Sequence, residues 1–279
     1  MKVGIIGAGV MGAGIAQTFA VCNGYEVILY DETAEFAESG KNRIRKSLDK
    51  LVSREKITLE DASLILSHIR TGKDEALSDC DLIIEAATEL MELKQKLFRK
   101  LHILCKPEAI FASNTSSLSI TALSADAGRP VVGMHFFNPA PVMKLVEVVS
   151  GLNTPSELAE QVANTVRDIG KVPVEVRDSA GFVVNRILIP MINEAVGILA
   201  EGTASAENID TAMKLGANHP MGPLALGDLV GLDVCLAVMQ VLESETGDPK
   251  YRPHPLLRQM VRAGRLGRKT GCGFFDYNK

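Results

Sequence analysis

The sequence predicts an α/β fold with a largely parallel sheet, followed by an all-helical carboxyl-terminal domain. Two observations support this prediction. Short apolar segments alternate with helical stretches as far as residue 176, and the strand signal then stops until the aromatic tail at Phe274 and Phe275. The composition changes after Asp178, and a chain of 279 residues is near the size at which one core usually becomes two. We therefore expect domains over residues 1–180 and 181–279.

The composition argues against several classes of protein. A hydrophobic fraction of 46% with 23% charged residues is typical of a globular protein, and a formal net charge of -4 argues against nucleic-acid binding through phosphate contacts. The five cysteines form no CxxC pair, and the five histidines have no HxxxH or HExxH spacing. We therefore expect reduced thiols, a cytoplasmic location and no metal site.

The uncharged segment from Val3 to Tyr25 requires a separate explanation, because a signal peptide or a membrane helix can have the same composition. Six glycines and the polar Gln17, Thr18 and Asn23 interrupt the segment, and no second stretch of this kind follows. The spacing of the glycines gives a better explanation, and we expect no association with a membrane.

This segment contains a glycine-rich turn between a short apolar strand, Val3 to Ile6, and a helix that ends at Gly24. The turn has the spacing G-x-G-x-x-G and comprises Gly7, Ala8, Gly9, Val10, Met11 and Gly12. The first glycine allows a tight turn, the second lets the backbone approach a pyrophosphate, and the third permits close helix packing. The order strand, turn, helix therefore predicts a Rossmann-type dinucleotide site.

A second strand, Val27 to Leu29, is followed by Asp31, nineteen residues after Gly12. A carboxylate at this position can accept a hydrogen bond from the ribose 2′-hydroxyl and would repel a 2′-phosphate, so NAD is favoured over NADP. The alternative is a turn residue or a helix cap. Further strands are predicted at residues 82–84, 110–112, 131–134, 145–149 and 172–176.

Residues 33–70 interrupt this alternation with a helical insertion that is locally basic. At about 100° per residue, one stripe of the first helix is cationic and lies next to an apolar face. The stripe consists of Arg43, Lys46, Ser47, Lys50 and Arg54. It could be an ordinary solvated helix face. Our hypothesis is that it receives the phosphates of a large anionic substrate, because it interrupts a nucleotide-binding fold.

The stretch HFFNPAPVMKLVEVV places His135 at the end of a predicted strand, and Glu147 lies within the next apolar strand. A carboxylate in an apolar run is costly to bury without a partner. Two neighbouring strands could bring the side chains together, so that Glu147 fixes the tautomer of His135 and stabilises its imidazolium form. Such a pair suits the oxidation of a secondary alcohol by NAD⁺. The alternative is a core histidine satisfied by the backbone.

A polar cluster, Asn114 to Ser117, lies between a predicted strand and a predicted helix in the stretch IFASNTSSLSI. We expect one of these side chains to cap the helix and another hydroxyl to face the crevice at the sheet edge.

The glycine turn, FASNTSSLSI, HFFNPAPVMKLVEVV, DSAGFVVNRILIP and GANHPMGPLALGDLVGLD together resemble the 3-hydroxyacyl-CoA dehydrogenase family over essentially the whole chain. The resemblance is greatest to its short-chain 3-hydroxybutyryl-CoA dehydrogenases. It implies NAD-dependent, reversible oxidation of (S)-3-hydroxyacyl-CoA to 3-ketoacyl-CoA, with His135 as the general base and Glu147 as its partner.

The resemblance also implies roles for further residues. Ser116 and Asn185 match residues that hold the 3-oxygen and the thioester region of the substrate. Ser47, Lys50 and Arg54 fall where the family's helical insertion contacts coenzyme A. The implied cofactor contacts are the glycine turn together with Asp31, Glu89, Lys94, Asn138, which also lines the substrate site, and Lys269.

In the carboxyl-terminal domain, the segment from Phe182 to Leu199 is apolar nearly all round, so we expect a helix that is buried on every side and kinked at Pro190. Further helices are predicted near residues 206–215, 223–244 and 254–264. An apolar helix in a small domain suggests a partner surface, and the resemblance implies a homodimer formed there.

Two other functions stay open at this stage. One is a β-hydroxyacid or sugar-acid dehydrogenase on the same fold, which would not need the basic stripe. The other is a non-catalytic NAD-binding protein.

Overall fold

The computed structural model describes residues 1–278. The chain divides into two compact units, with the boundary between Ser179 and Ala180. Each unit has a hydrophobic core of its own, formed in the first by side chains such as Ile5, Phe19 and Val132 and in the second by side chains such as Ile192 and Leu232.

The first unit contains an eight-stranded sheet with the order β3-β2-β1-β4-β5-β6-β7-β8. The strands are β1 Lys2–Ile6, β2 Glu26–Tyr30, β3 Ile69–Thr71, β4 Leu82–Glu85, β5 Ile110–Ser113, β6 Val131–Phe136, β7 Leu145–Ser150 and β8 Val172–Arg177. Every neighbouring pair is parallel except β6 and β7. The predicted α/β fold with a largely parallel sheet is therefore confirmed.

Helices cover the sheet because its central strands are apolar and buried on both faces. They are α1 Val10–Ala20, α2 Ala34–Val52, α3 Leu59–Ser67, α4 Met91–Leu104, α5 Ile120–Asp126 and α6 Ser156–Asp168. The carboxyl ends of β1, β2, β4, β5 and β6 lie at one edge of the sheet, where parallel α/β folds place their ligands.

The insertion after β2 is a pair of helices, α2 and α3, that buries Ile44 and Leu48 in the core of this unit. Each helix is capped at its amino terminus by a threonine. The Thr33 hydroxyl accepts a hydrogen bond from the Phe36 amide, and Thr58 forms a capping box with Asp61. The three-residue strand β3 follows α3 and pairs with β2. It was not predicted, because a strand this short has too few residues for a recognisable alternation.

The described part of the second unit, residues 180–278, is helical. Its helices are α7 Val184–Ala200, α8 Ala206–Gly216, α9 Pro223–Val230, α10 Leu232–Thr246 and α11 Pro255–Arg262. The prediction of a single helix over residues 223–244 was wrong. Gly231 has a φ of 104°, which breaks the segment into α9 and α10, because a residue in that conformation cannot continue a right-handed helix. The aromatic tail forms isolated β-bridges, and both carboxylate oxygens of Asp228 accept hydrogen bonds from its Phe274 and Phe275 amides.

The helix α7 was expected to be buried on every side, and this prediction was wrong. Ile189, Ile192 and Val196 are buried within the unit, but Ile187 is 68% exposed, so the helix is not buried on every side. An apolar composition around the whole helix does not tell which stripe faces the core, because that depends on where α9, α10 and α11 pack.

Within residues 1–278, no single helix has the length and apolarity needed to cross a membrane, although α9 and α10 together pass the same test as a pair bent by 96°. The same residues contain no group of three or more His, Cys, Asp or Glu side chains that could hold a metal ion.

Candidate functional site

The glycine turn connects β1 to α1 and has the geometry that a pyrophosphate needs. Gly7 has a φ of 94°, and a Cβ added to Gly12 would lie 1.7 Å from the Gly7 carbonyl oxygen, so both positions need glycine. A Cβ added to Gly9 would have no atom within 4 Å, and no side chain caps the first turn of α1. The amino terminus of α1 therefore has open space, and the backbone amides of its first turn can donate to an anion. Both features fit the pyrophosphate of a dinucleotide.

Asp31 follows β2 at the same edge of the sheet. Its Oδ2 accepts a hydrogen bond of 2.7 Å from the Ala8 amide, and its Oδ1 accepts one of 2.8 Å from the Glu32 amide. Asp31 thus fixes the glycine turn against the end of β2. This places a carboxylate beside the turn, where the sequence predicts the contact with the adenosine ribose. Val10 and Met11, the other residues of the turn, form the start of α1.

On the other side of β1, a buried ion cluster lies at the carboxyl end of β4. Glu85 is fully buried, and its Oε1 lies 2.5 Å from the Lys94 ammonium, which is itself 1% exposed. The same ammonium lies 3.2 Å from Glu89, whose side chain is 37% exposed. Glu85 Oε2 accepts a hydrogen bond of 2.6 Å from Ser113 on β5. We call these three ionisable residues, Glu85, Lys94 and Glu89, the ion cluster.

Glu89 links the ion cluster to the polar loop after β5. Its Oε1 accepts hydrogen bonds from the Thr115 hydroxyl at 2.6 Å and from the Ser116 amide at 2.8 Å, and the Ser116 hydroxyl lies 3.2 Å away. Burial alone would raise the pKa of Glu89. The neighbouring Lys94 charge and the hydrogen bonds from Thr115 and Ser116 outweigh burial, and the pKa is lowered below its ordinary value.

His135 and Glu147 face each other directly across the antiparallel pair β6 and β7. The His135 Nδ1 lies 2.7 Å from Glu147 Oε2, and the two residues are 5% and 0% exposed. Because a carboxylate can only accept, Nδ1 carries the proton, and the neutral ring has Nε2 as its acceptor nitrogen. The Phe137 ring packs on the imidazole with centroids 4.4 Å apart. The predicted contact between the two strands is confirmed.

The polar loop after β5 does not cap the next helix, which was expected of one of its residues. The cap of α5 is Ser119, whose hydroxyl accepts a hydrogen bond from the Ala122 amide. Asn114 instead accepts a hydrogen bond from the Phe136 amide, and Thr115 accepts from the Leu118 amide. The loop thus fastens the end of β5 to the end of β6, next to His135.

A shallow groove of about 200 Å³ lies between α1, α2 and the turn after β6. Ser47 of the basic stripe and Asn138 of the turn are among its lining residues. The charged members of the stripe, including Lys50 and Arg54, are exposed. The helix α2 ends at Val52, so Arg54 lies in the turn that follows and not on the helix face that its spacing predicts. The structure therefore brings Asn138 and part of the stripe to one groove of the first unit.

Two predicted site residues belong to the second unit. Asn185 lies in the first turn of α7. Lys269 lies in the segment before the aromatic tail, and its ammonium pairs with Asp233 of α10 at 2.6 Å. The roles of both residues toward a ligand stay predictions.

Glu85 and Ser113 were not predicted from the sequence. The signal for Glu85 was present, because the run Leu82 to Glu85 sets one acid at the end of an apolar strand, as the run around Glu147 does. A buried acid of this kind requires a partner. Its partner, Lys94, lies nine residues later on an amphipathic helix, where a lysine has no local feature to distinguish it.

Comparison with known proteins gives consistent results over the whole chain. Residues 2–179 match the family 3-hydroxyacyl-CoA dehydrogenase, NAD binding domain, and residues 181–277 match 3-hydroxyacyl-CoA dehydrogenase, C-terminal domain. The chain is 57% identical over 282 residues to the 3-hydroxybutyryl-CoA dehydrogenase of Clostridioides difficile, and the match covers 100% of both. It is 51% identical to a probable 3-hydroxybutyryl-CoA dehydrogenase of Deinococcus radiodurans, with 99% of this chain and 100% of the relative covered.

Among solved structures, the crystal structure of (S)-3-hydroxybutyryl-CoA dehydrogenase from Ralstonia eutropha matches with a TM-score of 0.95 and 50% identity. That match covers 100% of this chain and 99% of the other. These similarities confirm the family resemblance that the sequence motifs predict.

Proposed function

Because the chain belongs to the 3-hydroxyacyl-CoA dehydrogenase family, we propose that it interconverts (S)-3-hydroxybutyryl-CoA and acetoacetyl-CoA, with His135 as the general base in oxidation and the general acid in reduction. The chain is an NAD-dependent 3-hydroxyacyl-CoA dehydrogenase. The preference for the four-carbon acyl group and the roles of individual residues are our proposal. The observation that supports it most strongly is the buried His135–Glu147 pair at the edge of the sheet.

The pair provides a base with a defined orientation. Glu147 holds the Nδ1 proton, so Nε2 accepts the proton of the substrate hydroxyl, and the imidazolium that forms is stabilised by the carboxylate 2.7 Å away. NAD⁺, when bound, supplies the acceptor for the hydride that leaves the carbon bearing this hydroxyl. In the reverse direction the imidazolium returns its proton to the substrate oxygen.

We assign the remaining site residues on the basis of the family resemblance. Gly7 to Gly12 would hold the pyrophosphate, and Asp31 the adenosine ribose. Glu89, Lys94, Asn138 and Lys269 would complete the cofactor contacts. Ser116 and Asn185 would hold the reacting part of the substrate, and Ser47, Lys50 and Arg54 would contact coenzyme A. A homodimer and a cytoplasmic location stay predictions from the sequence.

The role of His135 is tested by the variant His135→Gln, assayed by NADH oxidation with acetoacetyl-CoA. General acid-base catalysis contributes about 10²–10⁴-fold, so kcat should fall by that factor while the Kd for NADH changes by less than about twofold. His102→Gln is the matched control, because His102 is exposed on α4 and lies outside the candidate site. Activity of His135→Gln close to that of the control would refute the assignment.

The coenzyme A part of the proposal is tested separately, by comparing acetoacetyl-CoA with free acetoacetate. Neutralising Lys50 and Arg54 together as glutamines should raise KM for acetoacetyl-CoA by about tenfold or more, because each charge would contact a phosphate. Arg45→Gln is the control, since Arg45 is exposed on the same helix but outside the stripe. Equal turnover of the free acid would instead favour a dehydrogenase for free β-hydroxyacids, and an unchanged KM in the double variant would refute the assignment of Lys50 and Arg54.

A further inference from the structure

The ion cluster of Glu85, Lys94 and Glu89 contains two carboxylates and a single ammonium. Glu85 Oε1 accepts from two groups that can only donate, the Lys94 ammonium at 2.5 Å and the Ala87 amide at 2.7 Å. This is the bonding pattern of an ionised carboxylate. Glu89 accepts from Lys94 and from the Thr115 and Ser116 donors in the same way. The ion cluster therefore has a net charge of -1.

Water does little to screen this charge. Glu85 is 0% exposed and Lys94 is 1% exposed, so the field of Glu85 acts through protein rather than through solvent. Glu85 is held from three sides by Ser113, Ala87 and Lys94. A fixed charge in a site of low polarity has a stronger effect on a nearby ligand charge than the same charge at the surface.

The position of the ion cluster in the sheet decides which part of the cofactor it faces. A dinucleotide lies across the edge of the sheet, with its pyrophosphate at the turn after β1 and one nucleoside on each side. Asp31 ends β2 and marks the adenosine side. The ion cluster ends β4, which is the neighbour of β1 on the opposite side. It therefore lies on the nicotinamide side.

The nicotinamide ring has a positive charge in NAD⁺ and is neutral in NADH. We propose that Glu85, through the net negative charge that it gives to the ion cluster, raises the affinity of this site for NAD⁺ relative to NADH. Glu85 is then a positioning and tuning residue, since it acts on the cofactor through Lys94 and Glu89 rather than by contact. This inference rests on the proposed cofactor site, because it requires that NAD occupies the sheet edge.

The proposal has a consequence for the reaction. A site that holds NAD⁺ more tightly than NADH makes the bound cofactor a stronger reductant than the free one. A tenfold change in the ratio of the two affinities corresponds to about 30 mV in the potential of a two-electron couple. Glu85 would thus shift the equilibrium on the enzyme toward NAD⁺ and the hydroxyacyl substrate.

The test is the variant Glu85→Gln, which keeps the shape and most hydrogen bonds of the side chain and makes the ion cluster neutral. The Kd for NADH is measured by its fluorescence and the Kd for NAD⁺ by calorimetry, both with the full chain in one buffer. The ratio of Kd for NAD⁺ to Kd for NADH should rise on the order of tenfold. Ser113→Ala is the matched control, because it removes a hydrogen bond of Glu85 without changing the charge, and it should leave the ratio within about twofold.

The outcomes separate this inference from the proposed function. Binding of neither NAD⁺ nor NADH to the unaltered protein would refute the cofactor site and the inference with it. Tight binding with the same ratio in Glu85→Gln and in the unaltered protein would overturn the inference alone. If circular dichroism shows that Glu85→Gln does not fold, Glu89→Gln makes the same charge change at a partly exposed side chain. An unchanged ratio in that variant would overturn the inference equally.

Discussion

Replacing Glu147 by glutamine removes one negative charge from a fully buried side chain while nearly preserving its volume. Glu147 is 0% exposed and lies 2.7 Å from His135 Nδ1. A glutamine oxygen can still accept from Nδ1, so the tautomer of the ring should be kept. What is lost is the attraction between the carboxylate and the imidazolium that forms when His135 takes a proton.

The expected fall in kcat follows from the distance between the two charges. Two unit charges about 4 Å apart attract each other by about 4 kcal/mol at an effective dielectric constant near 20. The glutamine dipole restores part of this attraction, so we expect the imidazolium to lose about 2–4 kcal/mol of stabilisation. Since 1.36 kcal/mol is a factor of ten in rate, kcat should fall about 30- to 1000-fold.

The assay is steady-state NADH formation from (S)-3-hydroxybutyryl-CoA and NAD⁺, the direction in which His135 takes a proton, together with the NADH Kd and a thermal unfolding curve of the variant. The NADH Kd should not change, because Glu147 lies behind His135 and has no predicted contact with the cofactor. A kcat within about threefold of the unaltered protein, in a variant that is folded, would show that imidazolium formation does not limit turnover. A large rise in the NADH Kd would show instead that the variant disturbs the cofactor site.

Two further predictions concern stability and the glycine turn. The folded-state pKa of Glu89 is lowered from its ordinary value of 4.5, so the stability that ionised Glu89 contributes is complete above about pH 4.5 and is lost as the pH falls through its lower, folded-state value. Urea unfolding at pH 7 and at acid pH should therefore show a smaller loss on acidification for Glu89→Gln, and an equal loss in both proteins would contradict the role of its Lys94 contact. Gly12→Ala should destabilise the first unit by about 3 kcal/mol or more, because its Cβ would lie 1.7 Å from the Gly7 carbonyl oxygen. A Gly12→Ala variant that is as stable as the unaltered protein would refute the steric argument. Gly9→Ala should have the same urea unfolding curve as the unaltered protein but bind NADH more weakly.

The sequence alone determined the features that depend on short stretches of the chain. The glycine turn identified the first strand, the first helix and the predicted dinucleotide site, because its pattern lies within six residues. Gly12 packs against the Gly7 carbonyl oxygen, and Gly9 leaves open space for a ligand. The lone acid in the run around Glu147 identified a buried carboxylate, because an apolar strand must be buried and a buried acid must have a partner. The family followed from several such stretches taken together.

The tertiary structure decided the features that depend on the packing of distant segments. It determined that His135 and Glu147 lie in one register of an antiparallel pair, and it joined Glu85 to a lysine on α4 and a serine on β5. It also showed that the helical segment breaks at Gly231. The cap of α5 is Ser119 rather than one of the preceding polar residues. Hydrogen-bond partners and helix ends of this kind are set by competition among several local options. Their outcome depends on which groups the rest of the fold brings within reach.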